Sequence, residues 1–219
     1  MSPRFVEHGN HSQHQGQEMA PTVQRWRKYA TGLMLIVWLV AASVIGSRWH
    51  DIEWLESALF FVGCLLMGVG VIGRIWCLAC IAGSKNEELI TDGPYSMCRN
   101  PLYLFSLVGT IGVGLGSCTL SFPILAVVGF AIWYPSTIRY ESSTLAQRHG
   151  KAYEAYRQKT PALIPACKGF YEAEHHTVRS SSFRRGAFDT IWFFATFAIM
   201  HVFFEMHDAG LLPTWYEWP

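Results

Sequence analysis

Charge is scarce in this chain of 219 residues. Asp, Glu, Lys and Arg make up 15% of it and nearly cancel, for a formal net charge of +1. That balance excludes a partner held by bulk charge, such as nucleic acid. An ordinary soluble domain is excluded from the other direction. Hydrophobic residues reach 51%, and nine Trp with fourteen Phe exceed what a soluble core of this size uses. The first 24 residues lack the apolar run of a secretory signal. They are polar, contain His8, His11 and His14, and read as a mobile tail with adventitious metal affinity at most. Cys77 and Cys80 form a CxxC without a second such pair and without a βαβ setting, so a zinc or redox role is not expected. The pair reads as structural, and Cys64, Cys77 and Cys118, in or beside apolar runs, read as buried thiols.

What is abundant is apolar sequence in long runs. A membrane-crossing helix needs about 20 apolar residues. Five segments approach this: about Tyr29–Ile45, Ala58–Ile81, Leu102–Gly116, Leu120–Tyr134 and Ala187–Met206. Only Ser117, Cys118 and Thr119 separate the third and fourth, which predicts a tight helical hairpin. Gly112, Gly114 and Gly116 on the third span, and Gly68 and Gly70 on the second, would admit a close helix neighbour. The expected fold is therefore an all-α integral membrane protein of about five spans. Its expected parts are a tail (1–24), a four-span core (25–168), and a basic linker with a fifth span (169–219).

Basic residues alternate with the spans. Arg25, Arg27 and Lys28 precede the first, and Lys85 and Arg99 lie between the second and third. Arg139, Arg148, Lys151, Arg157, Lys159, Lys168, Arg179, Arg184 and Arg185 lie between the fourth and fifth. The opposite side has Arg48 beside Asp51, Glu53 and Glu56, and the C-terminal tail has no Lys or Arg. The positive-inside rule then predicts a multi-pass chain with its N-terminus cytoplasmic and its C-terminus on the opposite side. Trp49, Trp54, Trp215, Tyr216 and Trp218 fall near the outer boundaries, as interfacial aromatics do.

Two basic stretches carry chemistry. In the first, Gly93-Pro94 marks a turn and Pro101 suits the first turn of a helix. Arg99 and Asn100 then sit at a helix N-terminus, where free N–H groups favour an anion. Tyr95 and Tyr103 stand nearby. Arg99 is either a ligand for a carboxylate or phosphate or a membrane-side anchor. In the second stretch, Glu141 and Leu145 share a helix face and Tyr153 and Tyr156 share another. Glu141 is suited to a cationic ligand, or alternatively to a surface ion pair with Arg139 or Arg148.

Gly93, Pro94, Tyr95, Arg99, Pro101 and Tyr103, followed across a membrane hairpin by Glu141, Leu145, Gly150, Tyr153 and Tyr156, resemble the two motifs of the isoprenylcysteine carboxyl methyltransferase and phospholipid methyltransferase superfamily. The resemblance spans about Gly68 to Pro165. It implies an S-adenosylmethionine (SAM) site at the cytoplasmic helix ends and a lipid or lipidated acceptor entering from the bilayer. Carried over by position, the cofactor-binding residues would be Tyr95, Arg99, Asn100, Pro101, Tyr103, Leu104, Glu141 and Tyr153, and the catalytic ones Arg99, Asn100 and Glu141. Two positions depart from the family pattern. Asn100 stands where His is frequent and cannot act as a base near neutral pH. Ser142 stands where a second Glu is frequent, so Glu141 alone would face a sulfonium.

Other classes remain in view. A sterol-type membrane reductase using NADPH has a partly similar motif, and a scaffold without activity would tolerate both departures. A transporter or channel would want ionisable residues deep in several spans. Here Arg74 stands in the second span, and Asp189, His201 and Glu205 on the fifth. His201, Glu205 and His207 read as an interfacial cluster rather than a metal set.

Overall fold

The computed structural model describes residues 32, 36–47, 52–83, 88–166, 169–212 and 216–218. The chain divides into two compact units, Met1–Val40 and Ala41–Pro219. In the first unit, 36–40 are helical, with Ile36, Val37 and Val40 exposed. The tail, the basic cluster at 25–28 and most of the first expected span lie outside the described residues, as do Lys85, Lys168, Trp49 and Trp215.

Among its described residues, the regular structure of the second unit is helical except for two three-residue strands. Residues 41–44 are helical and lead into β1 (Ile45–Ser47), which pairs in parallel with β2 (Tyr216–Trp218). Helix α1 (Glu53–Ile81) has 29 residues and carries Glu53 and Glu56 in its first turn, where carboxylates complement the helix dipole. At 1.5 Å per residue it is about 44 Å long, ample for a bilayer core of about 30 Å. A one-turn helix, α2 (Pro94–Met97), precedes α3 (Pro101–Leu115). Helix α4 (Ser121–His149) is followed across Gly150 by α5 (Lys151–Lys159). Helices α6 (Ser180–Phe188) and α7 (Ile191–Asp208) meet at Asp189–Thr190.

Three stretches are long and apolar enough to cross a membrane, Glu53–Ile81, Ser121–His149 and Ser180–Asp208, and α3 is a shorter apolar helix. Their outer faces confirm the solvent. Ile72 is 70% exposed, Ile132 74% and Trp192 66%, amid Leu65, Val69, Ile124, Leu125, Phe194 and Val202. Apolar surface that continuous is stable against lipid and not against water. The chain is an integral membrane protein.

At the centre stands α3, which packs on α1, α4 and α7. Lipid gives helices no hydrophobic reason to associate, so close backbone approach matters. A Cβ at Gly70 would overlap the backbone of Gly109, and one at Gly112 would overlap the backbone nitrogen of Met67. The contact thus uses Gly70 and Gly112 as expected, and adds Gly63 and Gly109. Gly68 departs from expectation, because it faces open space. The hairpin between α3 and α4 turns through buried Ser117 and Thr119, with Ser117 Oγ donating to the Gly114 carbonyl at 2.8 Å.

Two boundaries differ from the sequence expectation. The fourth span was expected to end at Tyr134, before Pro135, but α4 continues through Pro135 to His149. Proline removes one backbone bond and is tolerated within a membrane helix whose neighbours and hydroxyl side chains compensate. Pro135 leaves the Ala131 carbonyl without its helical donor, and nearby Ser136 Oγ donates to the Trp133 carbonyl at 2.8 Å. The segment expected as a fifth span falls on α7, entered through α6 instead of beginning at Ala187.

Candidate active site

Gly93 adopts φ +56°, a conformation that resists a side chain, and it turns the chain into Pro94 at the start of α2. Cys98 is extended, and Asn100 is the N-cap of α3 with Pro101 in its first turn. Gly150, at φ +50°, closes α4 by donating its N–H to Ala146 and redirects the chain into α5. These two glycine turns bring the motifs together.

They meet through a set of hydrogen bonds. Arg99 N–H donates to the Pro161 carbonyl at 2.9 Å, and Arg99 Nη1 reaches the Tyr153 hydroxyl at 3.3 Å. Asn100 Nδ2 donates to the Ala162 carbonyl at 2.8 Å. Tyr156 Oη donates to the Tyr95 carbonyl at 2.7 Å. The Tyr103 hydroxyl makes a short hydrogen bond to Glu141 Oε1. Each link joins residues 38 or more apart in sequence.

The expected site residues differ in their placement. Tyr103 and Glu141 face each other, with the Tyr134 ring edge-on to Tyr103 at 4.8 Å and stacked on Phe130 at 4.0 Å. Arg99 is half-buried, and its Nε has no hydrogen-bond partner among the described residues. Asn100 is buried and uses its amide N–H to hold the segment after α5. Tyr153 is 2% exposed, so its ring belongs to the core and only its hydroxyl meets Arg99. Pro101 is fully buried, and Leu104 is half-buried with its N–H on the Asn100 carbonyl. Glu141 does not pair with Arg139 or Arg148 among the described residues; its partner is Tyr103.

Burial keeps the neighbouring groups neutral. It raises the Tyr95 phenol well above its ordinary range, helped by the fields of Cys77, Cys80, Tyr156 and Glu141. It pushes the Cys98 thiol up to about 11, against a lowering backbone hydrogen bond at Asn100. Tyr156 is likewise raised by burial and by Cys98, with Arg99 opposing. The polar chemistry therefore rests on Arg99, Glu141 and neutral hydroxyls.

Sequence reasoning did not single out Tyr134 or Phe130. Tyr134 stands seven residues before Glu141, two helical turns on one face, which is the signal that finds it. It also missed a strap across the motif turn. Gly93 N–H donates to the Tyr171 carbonyl at 2.7 Å, and Tyr171 N–H to Ser96 Oγ at 3.2 Å. Trp76 Nε1 donates to Glu172 Oε1 at 2.8 Å, and His176 Nε2 lies 3.6 Å from Asp92 Oδ2. At the far end of α7, His201 pairs with Glu205 at 3.5 Å, while His207 turns to the Ala42 carbonyl at 3.2 Å.

Residues 58–152 match the phospholipid methyltransferase family. The chain is 36% identical to the cobalt-zinc-cadmium resistance protein CzcN of Cupriavidus metallidurans, over 82% of each chain. It is 34% identical to the nickel-cobalt-cadmium resistance protein NccN of Alcaligenes xylosoxydans, over 81% of this chain and 86% of that one. It is 26% identical to protein-S-isoprenylcysteine O-methyltransferase B of Arabidopsis thaliana, over 64% of this chain and 74% of that one. No solved structure matches it significantly. The family match runs from α1 to the start of α5 and contains the first motif with Glu141, Leu145 and Gly150 of the second, and the chain belongs to the isoprenylcysteine carboxyl methyltransferase and phospholipid methyltransferase superfamily.

Proposed function

We propose that this protein is a SAM-dependent methyltransferase that modifies a lipophilic acceptor at the cytoplasmic face of its membrane. The observation that carries this reading is the Tyr103–Glu141 contact, which sets a carboxylate and two tyrosine rings beside the N-terminus of α3. Members of the superfamily generally use SAM, and the residues present fit it. Glu141 with Tyr103 and Tyr134 offers a negative, aromatic-walled place for a sulfonium. Arg99 has a buried donor free for a carboxylate.

Bound SAM supplies an electrophilic methyl group. Glu141 holds positive charge near the reacting atoms, and the Tyr103 hydroxyl shares its negative charge. A bare carboxylate would stabilise the charged donor more than a transition state in which that charge disperses, which would slow transfer. Tyr103 moderates that hold. Asn100 fixes the Pro161–Ala162 segment and withdraws no proton, so an acceptor already carrying an oxyanion suits this site best. Positioning by Arg99 and exclusion of water by Pro101 and Tyr153 supply the rest.

The cytoplasmic placement is supported by exposed Arg139, Arg148, Lys151, Arg157 and Lys159 at the motif end. The pairing of β1 with β2 supports it too, because it joins the first outer loop to the C-terminal segment at the other end. The names of CzcN and NccN further support a setting in tolerance of divalent metals. The deciding measurement is calorimetry of SAM binding in detergent, with mass spectrometry of membrane lipids for a labelled methyl drawn from SAM. The expected result is binding and transfer in the wild type, with transfer reduced by about 100-fold in Glu141→Ala. Absence of SAM binding, or full transfer by both Glu141→Ala and Arg99→Ala, sinks the reading.

A further inference from the structure

One charged side chain stands apart from both motifs. Arg74 lies seven residues before the end of α1, about 10 Å along the helix from it, and Ser106 lies about 7 Å into α3. Arg74 Nη1 makes a short hydrogen bond to Ser106 Oγ. The Ser106 proton is already committed to the Leu102 carbonyl at 2.6 Å, so its lone pair faces the arginine. The guanidinium also lies over the Phe193 ring, 5.5 Å from its centroid.

These partners leave the charge uncompensated. A guanidinium has five N–H donors, and Arg74 Nε is buried with no hydrogen-bond partner among the described residues. No carboxylate within 4.0 Å forms an ion pair with it there; Asp189 is within electrostatic reach only, as are Tyr134 and Tyr95. A cation inside a membrane protein is expensive without an anion, and such residues face a functional cavity or a partner. A merely structural cation at this depth would be expected to have its carboxylate. Its contacts are instead neutral, the Ser106 hydroxyl and the Phe193 ring. Ser106 stands three residues after Tyr103 on α3, one helical turn along the same face, and Tyr103 meets Glu141.

We propose that Arg74, positioned by Ser106 and Phe193, binds the carboxylate or phosphate of the lipophilic methyl acceptor below the rim of the active site. This rests on the methyltransferase reading and adds to it the residue that holds the acceptor's oxyanion. The depth of Arg74 separates its role from that of Arg99. Arg99 stands at the rim, before the first turn of α3, where a water-soluble donor arrives. Arg74 lies within the apolar length of α1, where an acceptor reaches it from the bilayer. An oxyanion held there needs no proton removed: an oxygen lone pair forms the new O–CH3 bond as the S–CH3 bond breaks, and the bonding pair leaves with sulfur.

The test measures binding in maltoside detergent by intrinsic Trp fluorescence, with oleate, dodecyl phosphate and oleyl alcohol as probes, alongside calorimetry with SAM. The wild type is expected to bind the two anions about tenfold more tightly than the alcohol. Arg74→Gln is expected to erase that preference and leave SAM affinity within about twofold. Arg74→Lys should keep part of the preference, and Ser106→Ala should weaken it about threefold. If Arg74→Gln does not fold, the lysine and Ser106→Ala variants decide by the same measure. Unchanged anion preference in the variants overturns the proposal. So does loss of SAM affinity with anion preference intact, because Arg74 would then serve the donor's carboxylate. A wild type that prefers the anions but does not bind SAM would instead refute the methyltransferase reading and leave the oxyanion site standing.

Discussion

At the Tyr103–Glu141 contact a phenol donates to a carboxylate between α3 and α4, beside the Tyr134 ring. A hydrogen bond to a charged group contributes about 1.5–3 kcal/mol, and removing one partner strands the other. Tyr103→Phe and Glu141→Gln should therefore each destabilise the protein, and the double variant should lose less than their sum. A double-mutant cycle on thermal unfolding should return a coupling of about 1–2 kcal/mol. Strict additivity would show that the two side chains do not act together. The same residues illustrate what the sequence conveys at this scale. Spacing and family resemblance identify Tyr103 and Glu141, but leave Glu141 a choice among Arg139, Arg148 and a ligand. The hydrogen bond to Tyr103 joins residues 38 apart, beyond the reach of any local pattern.

Helix α3 is too short to be held by its own length, and it depends on the small residues where it crosses α1. At Gly70 and Gly112 any side chain meets backbone rather than the end of a flexible group. Gly70→Leu should accordingly cost about 1–3 kcal/mol or more and displace Tyr103 and Ser106, which α3 carries. Gly68→Leu, two residues away on an open face, should stay within about 0.5 kcal/mol of wild type. Thermal unfolding with SAM titration checks both; equal effects at the two positions would refute the packing argument. Helical periodicity shows that glycines recur on α1, but which of them meets α3 depends on how the two helices are rotated. For α4, Pro135 is legible as a breaker, whereas the continuation to His149 depends on flanking packing that no local propensity contains.

Across the whole molecule, both motifs gather at one end and the β1–β2 pair at the other. With the basic end cytoplasmic, an impermeant maleimide should label Lys151→Cys only in inverted membrane vesicles and Asp208→Cys only in right-side-out ones. Both native side chains are exposed. The reverse pattern would invert the proposed orientation. The strap from Phe170 to His176 belongs to this scale as well. It reads as linker, yet it crosses the motif turn through Tyr171 and Glu172.

Membrane residence, the long apolar runs and both motifs were legible in the sequence alone. Each depends on composition or short-range spacing, and the bilayer imposes a length and a charge rule that are read along the chain. The tertiary structure alone decided which glycines touch, that α4 runs through Pro135, that Asn100 and Tyr153 are buried where they join the two motifs, and that Arg74 meets Ser106 and Phe193 with no carboxylate partner among the described residues. These depend on the rotation and crossing of helices, set by side-chain contacts between residues far apart in sequence. Helical propensity constrains neither.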